Sequence, residues 1–295
     1  MKELVVISGK GGTGKTSLTA SFAALAENSV IADCDVDAAD LHLVLSPAVR
    51  ERFDFRSGHE AIIRQNDCNG CGDCFYQCRF DAICESISPS GRKEYSVDPV
   101  SCEGCGVCVR FCPEQAIDFP ESLCGEWMIS DTRCGPMVHA RLGVAAENSG
   151  HLVFTVRKEA RKIAEEKKIP LVIVDGPPGI GCPVIASVTG ASLVLIVTEP
   201  TVSGEHDLER VLSLTRHFKI PAAICVNKWD LNSEMTERIE KNAIESGASL
   251  AGRIRYDSSV TRAQILEKAV VEIDGPAAED IQEIWERINK QEELG

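Results

Sequence analysis

The sequence predicts an α/β fold: a doubly wound, mostly parallel sheet interrupted by a small α+β insert. Three observations carry this. Short apolar runs of strand length alternate with amphipathic helical patterns along most of the chain. A glycine-rich loop joins the first of these strands to the first helix, and between residues 60 and 120 the alternation gives way to two dense runs of cysteine. The chain has 295 residues, 14 of them cysteine, and a formal net charge of −14. That charge repels nucleic-acid phosphates and anionic lipid, so neither is an expected partner. The longest apolar runs, 193–197 and 171–174, fall short of the roughly 18 residues a membrane helix needs, and no signal-peptide core opens the chain. The expected location is the cytoplasm, where so many cysteines mean metal or redox chemistry rather than disulfides.

The first strand covers 4–7 and runs into Ser8-Gly9-Lys10-Gly11-Gly12-Thr13-Gly14-Lys15-Thr16-Ser17, followed by the helical spacing of Leu18, Phe22 and Leu25. Gly9, Gly14, Lys15 and Thr16 satisfy G-x-x-x-x-G-K-[ST]. Glycines let successive backbone N–H groups turn onto phosphate oxygens, and the helix N-terminus adds its dipole. Lys15 is then placed to reach the β/γ-phosphates and Thr16 to hold Mg²⁺. The next strand, 30–32, leads into Asp33, Asp35 and Asp37; carboxylates beside a phosphate loop serve Mg²⁺ or position water. A wholly apolar strand over 171–174 ends in Asp175 and Gly176-Pro177-Pro178-Gly179, and a buried strand closing on one carboxylate suits a metal site. The strand over 222–226 runs into Asn227-Lys228-Trp229-Asp230, and N-K-x-D also reads guanine in GTPases, which leaves adenine and guanine both open at this point.

The insert contains Cys68-x2-Cys71-x2-Cys74-x3-Cys78 and, as an internal repeat, Cys102-x2-Cys105-x2-Cys108-x3-Cys112-Pro113. Three thiolates on one tight loop can cap three corners of a cubane, and the fourth must come from farther away. This is the bacterial ferredoxin run, in which the fourth cysteine serves the other cluster. It assigns Cys68, Cys71, Cys74 and Cys112 to one [4Fe–4S] cluster, and Cys78, Cys102, Cys105 and Cys108 to a second. Zinc also takes paired C-x2-C, but four ligands close a zinc site and do not call for a repeated four-cysteine run. Arg79 stands where the second run has Pro113, which leaves the backbone there open. The insert has few large apolar residues and is expected to depend on its metal for stability.

The remaining elements are a strand over 152–156, a charged helix over 158–168, a strand over 193–197, a helix over 205–218, and the strand 222–226. A helix over 234–246, a strand over 250–254 and a final helix over 277–291 complete the series. That last helix is acidic, with Glu279, Asp280, Glu283 and Glu286, unlike a basic membrane-binding helix. Cys84 and Cys225 lie in apolar stretches and read as small buried hydrophobes. The six histidines show no metal-ligand spacing.

One feature exceeds an ordinary phosphate loop, the second lysine directly after the first glycine. The run Lys10-Gly11-Gly12-Thr13-Gly14-Lys15-Thr16 resembles the deviant Walker A loop of the MinD/ParA superfamily, which includes the nitrogenase iron protein and the Mrp-type cluster carriers. The resemblance implies a P-loop ATPase that forms an ATP-dependent homodimer, or a heterodimer with a paralogue, in which Lys10 reaches the partner's phosphates. It also implies that Lys10, Lys15 and Asp35 are catalytic, with Asp35 orienting the attacking water, and that Thr16, Asp33 and Asp175 surround Mg²⁺. Asn227 contacts the adenine amino group in this comparison, which favours ATP over GTP. A cysteine seven residues after the Walker B aspartate ligates the shared cluster of the nitrogenase iron protein, making Cys182 a candidate thiol, alone or with Cys124 or Cys134. The segment 135–143, with 147–150 after it, is similar to that of superfamily ATPases carrying an inserted ferredoxin domain. The expected fold is thus a P-loop NTPase frame of residues 1–59 and 121–295 with a bacterial-type ferredoxin at 60–120. The expected function couples nucleotide-driven dimerisation to electron transfer to a redox partner. A cluster carrier of the Mrp type serving a metal-cluster protein, or a redox-sensing positioning ATPase, are the alternatives.

Overall fold

In a computed structural model, residues 1–143 and 149–293 are described. β1 (Lys2–Ser8) is buried from Glu3 onward, as a strand inside a parallel sheet must be. α1 (Lys15–Leu25) buries Leu18 and Phe22 at helical spacing, β2 (Ser29–Asp33) is wholly buried, and α2 (Leu41–Leu45) is a short turn of helix. β3 (Ala48–His59) follows, largely exposed apart from Phe55. Next come β4 (Ile62–Ile63), α3 (Asp73–Gln77), β5 (Ile83–Ile87), β6 (Lys93–Val97), α4 (Val107–Phe111) and β7 (Ile117–Asp118). β8 (Glu121–Thr132) and β9 (Gly135–Leu142) form a hairpin through a two-residue turn. The rest alternates: α5 (Ser149–Lys167), β10 (Leu171–Pro178), α6 (Cys182–Val188), β11 (Leu193–Thr198), α7 (Val202–His217), β12 (Ala222–Asn227), α8 (Ser233–Glu245), β13 (Ser249–Ile254), α9 (Ser258–Ile265) and α10 (Pro276–Glu293).

The chain divides into two compact units. The larger comprises Met1–Phe53, Glu126–Leu142 and the chain from Ser149 on; the smaller is Asp54–Gly125 with Gly143. The larger unit is built on a nine-stranded sheet in the order β13-β12-β11-β1-β10-β2-β9-β8-β3. Each neighbouring pair from β13 through β9 is parallel. The expected mostly parallel α/β sheet is therefore present. One apolar cluster joins Leu4, Phe22, Leu195 and Ile173 to Ile281, Ile284 and Ile288 of α10, and a second joins Ala20, Ile31, Leu45 and Met137. Among the described residues no helix is long and apolar enough to cross a membrane.

Two expectations are corrected here. Residues 152–156 are not a strand but the first half of α5, whose Leu152, Val153, Val156, Ala160, Ile163 and Ala164 bury one face at helical spacing. The β-branched pair Val153 and Val156 mimics a strand only when read apart from the charged continuation. Cys84 is exposed rather than buried, because β5 turns only Ile83 inward. The segment 135–143 supplies β9, which runs parallel to β2 with Met137, Val138 and His139 opposite Ile31, Ala32 and Asp33. Glu147 and Asn148 lie outside the described residues.

In the smaller unit the sequence repeat is a structural repeat. β4 pairs antiparallel with β7, setting Ile63 opposite Ile117, and β5 with β6, setting Ile83 opposite Val97. Positive φ at Gly70, Gly72 and Asp81 returns at Gly104, Gly106 and Gln115. The residues ending α3 and α4, Cys78 and Cys112, share one extended conformation (φ −73°, ψ 120° and φ −73°, ψ 114°), so Arg79 leaves the backbone as Pro113 does.

Candidate functional site

The carboxyl ends of β1, β2, β10, β11 and β12 deliver Ser8, Asp33, Asp175, Thr198 and Asn227 to one edge of the sheet. β1 lies between β10 and β11, where the strand order reverses, which is where open α/β sheets bind ligands. The loop from Gly9 to Gly14 leads into α1, whose N-cap is Gly14 in the left-handed region (φ 89°). No side chain caps this helix and no acidic residue occupies its first turn, so its first N–H groups are free for an anion. Two glycines are required by packing. A Cβ on Gly14 would stand 2.4 Å from Asn227 Nδ2, and one on Gly9 would stand 2.4 Å from Asp207 Cβ. Gly11 and Gly12 face open space.

Lys15 is the centre of the site. Its Nζ donates to Asp35 Oδ2 and to Asp175 Oδ1, each at 3.0 Å. Burial opposes its charge, yet the neighbouring Asp175 and Asp35 carboxylates outweigh that and hold its pKa above the usual lysine value. Asp175 also accepts from Thr16 Oγ1 at 2.8 Å and from Thr19 Oγ1 at 3.0 Å. Burial, then repulsion from Asp175, pushes the Asp33 carboxyl well up; burial also raises Asp35, with Lys15 pulling the other way. Asp33 Oδ1 accepts from the Asp35 N–H at 3.2 Å, while the buried Asp33 Oδ2 and Thr13 Oγ1 have no protein partner. Orphaned buried oxygens beside a cationic side chain and two carboxylates fit a hard cation with its hydration shell and a phosphate.

The other predicted residues are placed as follows. Lys10 Nζ donates to Ser203 Oγ at 3.1 Å and lies 3.6 Å from Glu199 Oε2, with Thr201 Oγ1 at 3.5 Å. Asn227 Nδ2 donates to the Thr13 carbonyl at 2.8 Å, so it braces the phosphate loop. Ser17 Oγ accepts from Gln264 Nε2 at 3.1 Å. Asp230 Oδ1 accepts from the Tyr256 N–H at 2.8 Å. Cys182 is exposed at the first position of α6. Cys134 packs beside the Ala20 and Leu45 cluster, and the Cys124 thiol donates to the Ser57 carbonyl at 3.0 Å. Glu199, which also pairs with Lys228 at 2.6 Å, and Thr19 were not singled out from sequence. Thr19, one helical turn after Lys15, carried a readable signal; Glu199 carried none.

In the smaller unit the eight grouped cysteines line two recesses. One is lined by Cys68, Cys71, Cys74 and Cys112, the other by Cys78, Cys102, Cys105 and Cys108. Burial raises the Cys74 thiol to about 11 and raises Cys108, so a metal entering here displaces protons. Among the described residues no three His, Cys, Asp or Glu converge on a point that would hold a single metal ion. Four soft donors spread around a recess suit a multi-iron cluster, which takes one thiolate at each iron, better than one tetrahedral ion.

Residues 4–270 match the family model for the CobQ/CobB/MinD/ParA nucleotide binding domain. An uncharacterised protein of Methanocaldococcus jannaschii is 29% identical over 293 residues, covering 98% of this chain and 96% of that protein. Two solved structures share the fold. The septum site-determining protein MinD complexed with Mg-ADP, from Pyrococcus horikoshii, has a TM-score of 0.59 at 15% identity, covering 99% of this chain and 98% of that one. The MinC:MinD cell division protein complex of Aquifex aeolicus has 0.58 at 17%, covering 98% and 96%.

Proposed function

Since the chain belongs to the CobQ/CobB/MinD/ParA nucleotide-binding family, we propose that it is an ATPase that couples ATP-driven dimerisation to electron transfer through an inserted ferredoxin unit. The observation that carries the nucleotide half is the meeting of Lys15, Thr16, Asp35 and Asp175 in front of an uncapped helix N-terminus. The Mg-ADP of the Pyrococcus horikoshii protein supports it.

On this reading the free N–H groups at the start of α1 bind phosphate oxygens, and Lys15 exchanges its carboxylate partners for the β- and γ-phosphates. Thr16 and Asp175 would hold Mg²⁺, with Asp33 beside them; the ion supplies charge neutralisation on the phosphates. Asp35, relieved of Lys15, accepts a hydrogen bond from the attacking water and orients it. Lys10 leaves Ser203 and Glu199 to reach the phosphates of a second protomer, the same chain or a paralogue. Asp230 Oδ1 is engaged by the Tyr256 N–H, and it is the second lysine of the loop, Lys10, that favours adenine over guanine beside Asn227. In the smaller unit the two four-cysteine recesses would hold two [4Fe–4S] clusters, which supply one-electron chemistry for a redox partner protein. Each recess uses all of its grouped thiols, which leaves none of them free to carry cargo.

The test uses the chain loaded anaerobically. Its molar mass in solution should double with a non-hydrolysable Mg-ATP analogue and not with Mg-ADP. Lys10→Ala should bind nucleotide and stay monomeric, and iron should reach about eight per chain. A Lys10→Ala dimer would remove the dimerisation half; zinc in place of iron would remove the ferredoxin half.

A further inference from the structure

The two recesses come from one repeat but are not lined alike. In repeat order Cys68, Cys71, Cys74 and Cys112 correspond to Cys102, Cys105, Cys108 and Cys78. Their exposure nearly matches: Cys71 and Cys105 are exposed, the others half-buried, with Cys74 alone more enclosed. Solvent access therefore separates the recesses little. Charge separates them more. Where the second recess presents Val107, Phe80 and Phe119, the first presents Asp73, Glu114 and Tyr95; only Asn69 against Glu103 runs the other way.

The aromatic pair is the most telling. Gly72 and Gly106 are equivalent left-handed glycines. A Cβ on Gly72 would lie 2.7 Å from the Tyr95 hydroxyl oxygen, and one on Gly106 would lie 3.2 Å from the Phe119 ring. Tyr95 is 1% exposed and donates its hydroxyl proton to Glu85 Oε2 at 2.6 Å. The O–H dipole thus aims away from the recess and leaves the negative end of the oxygen toward it. Glu85 is anionic, held below its usual range by the Tyr95 hydroxyl and then by Lys93, whose Nζ lies 3.0 Å away.

Resting on the ferredoxin reading, we infer that the two clusters have unequal reduction potentials, the lower belonging to the Cys68, Cys71, Cys74 and Cys112 recess. Each cluster takes one electron from an external reductant of the dithionite class, with no bond made or broken, and gains one negative charge. Asp73, Glu114 and the Tyr95 oxygen disfavour that charge where Val107, Phe80 and Phe119 do not. The first electron accordingly rests on the cluster of Cys78, Cys102, Cys105 and Cys108.

The test is an anaerobic redox titration of the loaded full chain followed by EPR. Two one-electron steps are expected. The combined variant Asp73→Asn, Glu114→Gln, Tyr95→Phe should raise the lower step by at least tenfold in electron affinity, about 59 mV for one electron, and leave the upper step in place. Glu103→Gln should raise the upper step instead. Were the intrinsic potentials equal, the triple variant would make its own cluster the first to be reduced and raise the upper step, which overturns the inference. Tyr95→Phe alone, which keeps the ring, serves if the triple variant fails to fold, and it too must raise the lower step. A chain that takes up no iron defeats the ferredoxin reading itself; about eight irons with the wrong step moving defeats only the inequality.

Discussion

In the larger unit Leu4, Val5, Val6 and Ile7 are each at most 1% exposed and sit in a core built of apolar side chains. In the smaller unit the apolar cluster shrinks to Ala61, Ile83, Tyr95 and Ile117 packed among the cysteines themselves, while Phe75, Tyr76 and Phe111 are exposed. The larger unit can place charged groups at its sheet edge because burial elsewhere stabilises it. The smaller one has made its candidate ligands part of its core, so on the ferredoxin reading its stability and its function would not be separable.

On the ferredoxin reading, the sharpest way to break this contrast is to take away the iron that the smaller unit would hold. Chelation under anaerobic, reducing conditions should strip amide-exchange protection from residues 60–120, and leave β1, β10 and β11 protected. The expected loss is the whole local stability of the smaller unit, and equal loss in both units would show that the two are not held by different means. A smaller effect is expected from Asp35→Ala. It should bind ATP, keep its iron and hydrolyse about 10²-fold more slowly, the scale of a misplaced proton-accepting group; unchanged turnover would take the water-orienting role from Asp35.

The smallest effect tests whether the larger unit answers to pH independently of metal. His139 is buried on β9 with Nε2 2.8 Å from Ser130 Oγ. Burial, followed by repulsion from His42 and Arg52, lowers its pKa to about 4. A folded value below the unfolded one means that the stability from keeping His139 neutral is complete above about pH 6.5 and is lost as pH falls toward 4. The opening free energy of β9 amides should drop by about 2 kcal/mol from pH 7 to pH 5. His139→Gln should flatten that slope, with or without iron.

Much of the site was legible because its signals are local. The spacing of Gly9, Gly14, Lys15 and Thr16 sits on one strand, loop and helix, and each cysteine run sits on one tight loop. The long strands β3, β8 and β9 were not legible. β3 buries only Phe55, so no alternating apolar face announces it, and β9 shows its character only against β2. Residues 152–156 misled for the opposite reason, since apolar β-branched residues on the buried face of a helix look like a strand in a short window.

The sequence by itself determined the phosphate loop, the two fours of cysteine and the alternation that builds a parallel sheet, because covalent spacing and side-chain periodicity suffice for each. Only the tertiary structure decided that Lys15 meets Asp175, 160 residues away, as well as Asp35. It alone set Glu199 and Ser203 against Lys10 and put Tyr95 over one recess with Phe119 over the other. These contacts join residues far apart in the chain, and strand order and sheet register, which no local pattern encodes, bring them together.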